Sequence, residues 1–169
     1  YEGAEDHGVA FNTTRYTLPA SADTGEAMAL YIGPQDDLLP QLVDLSLWRI
    51  EIGDAGLKAF AEALASGALA KLEYLVLDKN QIGDIGLSSF SGALASGALR
   101  KLEMLELQAN QIGDAGLTSL SDALASGALK QLKELYLGNN KICDAGLSSL
   151  STALARGALR QLRFVGGDS

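Results

Sequence analysis

The sequence predicts an α/β solenoid, a short right-handed horseshoe arc with parallel strands inside and α-helices outside. Three observations lead there. The phrase ALASGAL stands at residues 63–69, 93–99 and 123–129 and returns as ALARGAL at 153–159, always thirty residues on. Each thirty-residue unit opens with closely spaced leucines that alternate over a short stretch, then continues with apolar residues at helical spacing. A lone short strand or a lone amphipathic helix cannot bury its apolar face, so neighbouring units must stack. Strand-to-strand crossovers through a helix are right-handed, which sets the expected hand of the arc.

The units are LVDLSLWRIEIGDAGLKAFAEALASGALAK (42–71), LEYLVLDKNQIGDIGLSSFSGALASGALRK (72–101), LEMLELQANQIGDAGLTSLSDALASGALKQ (102–131) and LKELYLGNNKICDAGLSSLSTALARGALRQ (132–161), followed by a fifth start, LRFVGGDS. In the second unit Leu72, Leu75 and Leu77 open the segment, and period-two packing turns Leu75 and Leu77 inward. Asp54, Asp84, Asp114 and Asp144 then stand where a carboxylate accepts a backbone hydrogen bond at a helix start. Leu57, Phe60 and Leu64 recur at helical spacing, matched by Leu87, Phe90 and Leu94 and by the two later sets. Gly67, Gly97, Gly127 and Gly157 are placed to end the helices. Ala63, Ala93, Ala123 and Ala153 are small enough to let successive helices approach. The repeated phrase is therefore a spacer and stop code for the scaffold.

Residues 42–169 read as one repeat domain of four full units and a truncated fifth. Residues 1–41 lack the clean frame and read as an irregular N-terminal extension that includes a degenerate capping repeat. DTGEAMALYI permits a helix with Asp23 as cap and Glu26 three residues later, and residues 23–41 are expected to form the helical half of that repeat. Pro34 and Pro40 suit breaks between elements. VAF and RYTL near the start suit strands, or an arm ordered on a neighbour. Tyr1 in place of methionine points to a processed chain or to part of a longer one.

Composition narrows the function classes. The chain of 169 residues carries a net charge of −8, which opposes contact with phosphate backbones, so no nucleic acid is expected as a partner. No apolar run reaches the length of a membrane span, so direct membrane insertion is not expected. One cysteine, Cys143, and one histidine, His7, leave no disulfide framework and no His- or Cys-based metal site. We identify no catalytic arrangement and no cofactor motif, and expect no enzyme. Cys143 replaces the glycine of the other turns and is expected to be a small buried or half-buried residue. The Asn12–Thr14 pattern meets the glycosylation rule, which by itself does not establish secretion; an intracellular or organellar location is expected over a secreted one.

The frame LxxLxLxxN, repeated in register at Leu72–Asn80, Leu102–Asn110 and Leu132–Asn140, resembles the leucine-rich repeat family. The long unit, with room for an α-helix, is similar to the ribonuclease-inhibitor type. The resemblance implies that Asn80, Asn110 and Asn140 cap the turn after each strand from inside. Ile50 stands in the corresponding place of the first unit, whose turn is expected to differ. It also implies protein binding as the use of the fold, since this subclass includes ribonuclease inhibitors, small-GTPase activators and sensor domains of NOD-like receptors.

If the frame is scaffold, specificity lies where the units disagree. The outward strand positions are three, five and seven of each unit, with eight at the turn. They carry Trp48, Tyr74, Met104, Tyr136 and Phe164, side chains suited to anchoring a partner, with Glu106 and Glu134 among the charges that set its orientation. Glu106 and Glu134 form no acid and base pair on this pattern alone. Leu162 and Phe164 mark the unfinished C-terminal end as a second contact. The chain is thus expected to be a non-catalytic scaffold for another protein or a multiprotein complex. An accessory structural subunit of a larger assembly, or a regulatory module resembling small-GTPase activators, stands as the alternative.

Overall fold

The structure is a computed structural model that describes residues 15–17 and 41–166. Its elements alternate along the chain: β1 (Arg15–Thr17), β2 (Asp44–Ser46), α1 (Gly53–Ala65), β3 (Tyr74–Val76), α2 (Asp84–Ala95), β4 (Met104–Glu106), α3 (Asp114–Ala125), β5 (Glu134–Tyr136), α4 (Asp144–Ala155) and β6 (Phe164–Gly166). The strands form one parallel sheet in chain order. From β2 onward each residue pairs with the one thirty further on, as Leu45 with Leu75 and Leu75 with Leu105. β1 lies one residue closer in the chain, with Arg15 opposite Asp44. RYT is therefore a strand of the same sheet. The expected helix within residues 23–41 lies outside the described residues.

Strand and helix leucines meet in a single core. Leu75, Leu77, Leu105, Leu107 and Leu135 enter it from the sheet, and Leu57, Phe60, Leu87, Phe90, Leu117 and Leu120 from the helices. Phe60 and Phe90 stack at 6.3 Å between ring centroids, 13° from parallel. Ala93, Ala123 and Ala153 are buried and Ala63 partly so, the small-residue spacing expected between successive helices. At the helix ends Gly97 has φ of 101°, and the N–H of Ala98 reaches back to the Ala93 carbonyl at 3.1 Å. This is the left-handed stop that glycine permits at low cost. Leu69, Leu99, Leu129 and Leu159 also take positive φ, between 50° and 58°. Their side chains are buried, and the burial offsets a backbone conformation that leucine otherwise avoids.

Two side-chain ladders tie unit to unit. Asn110 Oδ1 accepts the N–H groups of Asn80 (2.9 Å) and Ile82 (3.1 Å), while its Nδ2 donates to the carbonyls of Leu77 and Leu107, both at 3.0 Å. Asn80 serves Ile50, Ile52 and Leu47 in the same way, and Asn140 serves Ile112 and Leu107. Each asparagine thus closes the turn of the unit before its own. The aspartates work in the opposite direction. Each sits inside its own helix start without capping it. Asp84 Oδ1 accepts the N–H groups of Gly113 and Gly116, at 2.7 and 2.9 Å, in the helix that follows. Asp54 and Asp114 repeat the arrangement.

The first turn departs from the others at Gly53, whose φ is 57° and whose N–H donates to the Asn80 carbonyl at 2.9 Å. Ile50 itself is buried, 2% exposed. At the other end the core thins. Leu147, Phe164 and Val165 are 50%, 47% and 44% exposed because no described unit stacks on them. Cys143, expected to be at least half-buried, is exposed for the same reason.

Candidate functional site

The face of the sheet turned away from the helices is built from the residues that the frame leaves free. The parallel register sets Asp44, Tyr74, Met104, Glu134 and Phe164 in one row across five strands. Ser46, Val76, Glu106, Tyr136 and Gly166 form the next row. Trp48, Asp78 and Gln108 follow at the turn. Tyr74, Met104, Glu106, Glu134 and Tyr136 are half-buried, flanked by neighbours in their rows but open above. Trp48 is 42% exposed, with Lys79 Nζ 5.5 Å and Arg49 Cζ 6.0 Å from its ring centroid. Two cations thus hold the indole without covering it.

Tyr136 joins the two rows. Its hydroxyl donates to Glu134 Oε2 at 2.9 Å, and its ring lies 5.1 Å from that of Phe164, tilted by 46°. The hydrogen bond with Glu134 is the main cause that raises the Tyr136 pKa above its ordinary value. The structure therefore gathers Tyr74, Met104, Glu106, Glu134, Tyr136 and Phe164 on one surface, with Trp48 at its margin. Leu162 is not among them: it packs against the core at the C-terminal end, partly buried.

Asp78 is the residue whose part in this surface the sequence did not reveal. It is 9% exposed, and its Oδ1 accepts the backbone N–H of Gln108 at 2.7 Å. Glu106 shares a side-chain hydrogen bond with it, and burial together with that bond pushes the Glu106 carboxyl up to about 7, with the charges of Asp78, Glu134 and Asp44 adding to the rise. Burial also raises Asp78, against the opposing pull of the Gln108 N–H. Both carboxyls of the pair are thus held above their ordinary values, chiefly by burial. Position seven was legible as outward facing, but the effect of Asp78 on Glu106 arises between neighbouring units, for which one-unit spacing gives no signal. Among the described residues no group of three or more His, Cys, Asp or Glu is placed to hold a metal ion, and no helix is long and apolar enough to cross a membrane.

The chain has a leucine-rich-repeat fold. A family model described as Leucine Rich repeat matches residues 68–91, 98–121 and 130–151. No curated protein sequence matches the chain. Among solved structures, the leiomodin-1 actin-binding site 2 is similar with a TM-score of 0.54 and 19% identity, covering 67% of this chain and 62% of that one. Internalin C2 from Listeria monocytogenes is 24% identical over 80% of this chain and 65% of its own, with a TM-score of 0.39. A second internalin of the same organism is 19% identical over 78% and 42%, with a TM-score of 0.37. The chain spans less than two thirds of the length of each of these structures.

Proposed function

We propose that this chain is a non-catalytic scaffold that holds another protein on the open face of its sheet. The observation that carries this reading is the division of labour across one strand. Leu105 is fully buried, whereas Met104 and Glu106 on either side of it are open to solvent on the other face, and the same division recurs in β3 and β5. Conserving the core while varying the open face is what a recognition surface requires, with aromatic anchors set among charges. Trp48, Tyr74, Met104, Glu106, Glu134, Tyr136 and Phe164 are the proposed contacts. The strand-plus-α-helix unit, with helices of twelve or thirteen residues, favours the ribonuclease-inhibitor-like subclass.

A second reading, an accessory subunit of a larger assembly, draws support from Leu147, Phe164 and Val165, which are exposed together at the C-terminal end; Leu162 and Phe164 would then make the contact. Cross-linking in native extract followed by mass spectrometry separates the two. Links from Trp48, Tyr74 and Tyr136 to a reproducible partner support the scaffold. Links clustered on residues 142–166 at the end support the subunit, and links confined to residues 1–20 overturn both.

A further inference from the structure

The cations of the chain are spread unevenly. Eight of its thirteen Lys and Arg fall where a helix gives way to the next strand, at residues 66–73, 96–103, 126–133 and 156–163, against two of its twenty-one Asp and Glu. This edge of the solenoid is therefore positive on a molecule whose net charge is −8. The excess grows along the chain: Lys71 stands with Glu73, Arg100 and Lys101 with Glu103, Lys130 with Lys133, and Arg156 with Arg160 and Arg163. Cations beyond a helix end complement the negative pole of its dipole, and Arg100 does so, its Nε donating to the Gly97 carbonyl at 3.0 Å. That role leaves most of the charge unused. All of these cations but Lys133 are exposed. Lys133 pairs with Glu103 at 2.6 Å, whereas Lys101, Lys130, Arg156, Arg160 and Arg163 pair with no carboxylate among the described residues.

A second feature lies between the same side chains. Successive turns leave a cleft of about 270 Å³ beside Ala68, Ala98 and Arg100, one of about 460 Å³ beside Ala98, Arg100, Ala128 and Lys130, and one of about 440 Å³ beside Ala128, Lys130, Arg156 and Arg160. The cations lie back over the glycines of these turns. A Cβ on Gly97 would stand 2.5 Å from a terminal nitrogen of Arg100, one on Gly127 3.2 Å from Lys130 Cε, and one on Gly157 3.6 Å from Arg160 Nε. Three successive units thus hold a cation in the same place beside an alanine-lined cleft. Neighbouring strands stand about 4.8 Å apart and packed helices up to about 10 Å, so an extended chain rising about 3.3 Å per residue meets a new cation every second or third residue. We infer that this edge takes an extended acidic segment of a partner protein, with a carboxylate at each of Arg100, Lys130 and Arg160 and the intervening small side chains over the clefts. A short segment feels the charges within about 8 Å. A bilayer or a nucleic acid, being extended, also meets the strongly negative remainder of the molecule. The edge is separate from the open face of the sheet, and this contact stands or falls without it.

The test uses the nitrogen-15-labelled full chain and an eight-residue peptide of alternating Glu and Ala, with a Lys–Ala peptide of the same length and phosphatidylserine vesicles as the two comparisons. The Glu–Ala peptide is expected to shift the amides of Gly97, Ala98, Gly127, Ala128 and Gly157 and to leave those of β3, β4 and β5 in place. Lys130→Glu and Arg160→Glu should each weaken its binding about fivefold, because each loses an exposed ion pair and gains a repulsion. Lys130→Gln, which removes the charge alone, should weaken it about twofold. Lys58→Glu makes the same change of net charge at an exposed position of α1 and should leave the affinity unchanged. Added salt should weaken the complex. Shifts confined to β3, β4 and β5, equal binding of the Lys–Ala peptide, or an equal loss in Lys58→Glu would each overturn the inference. Binding to the vesicles without binding to the Glu–Ala peptide would overturn it in favour of a lipid surface. In each of these cases native cross-links from Trp48, Tyr74 and Tyr136 still decide the scaffold reading independently.

Discussion

At the scale of the residue, the two bridging ladders carry the most concentrated energetics. A Cβ added at Gly116 would stand 2.6 Å from Asp84 Oδ1 and 3.1 Å from the Asp84 Cα. The helix start approaches the preceding aspartate too closely for any side chain. Gly116→Ala should cost about 1 to 3 kcal/mol, as overpacking does, whereas Gly92→Ala, with open space around the added carbon, should be neutral or stabilising in a helix interior. Urea titration of both variants checks the contrast. Asn110→Ala should cost about 1 to 3 kcal/mol for each buried N–H it leaves without an acceptor, and the amides of Asn80 and Ile82 should then exchange with deuterium faster. Glu106 gives a pH prediction. Its folded pKa is raised to about 7 from 4.5, so the folded state holds the proton more tightly than the unfolded one. That contribution to stability is fully present below pH 4.5 and is lost as pH rises through 7. The urea midpoint should fall across that window, and Glu106→Gln should flatten the fall. The positions of these residues could be read from the repeat, but their partners could not. The sequence placed aspartate at a helix start; that it serves the next helix follows from the stacking of units.

At the scale of the element, β3, β4 and β5 are each three residues long, and each contributes one leucine to the core and two side chains to the open face. Leu105 is fully buried, so Leu105→Ala should cost roughly 2 to 5 kcal/mol. Gln108→Ala should stay within about 0.5 kcal/mol, because the side chain makes only a 3.5 Å contact with Asp78 Oδ2. Equal losses in denaturant titration would mean that the strand faces are assigned the wrong way round. Strand, helix and stop were all legible in β3 to α3, where every unit has a neighbour on both sides. Where a neighbour is missing the elements still form as expected, and only burial departs from the pattern. Leu147 fills the same repeat position as the buried Leu87 and Leu117, yet is half exposed, and Cys143 is exposed rather than covered. Burial in a solenoid belongs to the interface between units, so a pattern within one unit overstates it at the ends.

At the scale of the whole molecule, the scaffold and the proposed contact surface separate cleanly. The buried leucines, the asparagine ladder and the aspartate ladder depend on the frame, while Trp48, Tyr74, Met104, Glu106, Glu134 and Tyr136 add little to the core. The central claim is that function resides in that variable face, and one measurement tests it most directly. In a chain with serine at those six positions and the frame untouched, circular dichroism and a single cooperative melting transition should report the same fold. Its affinity for the partner identified by native cross-linking, measured by calorimetry beside the unaltered chain, should fall at least a hundredfold, about 2.7 kcal/mol. Retention of the unaltered affinity by the folded serine-faced chain would contradict the account and move the binding surface elsewhere on the molecule.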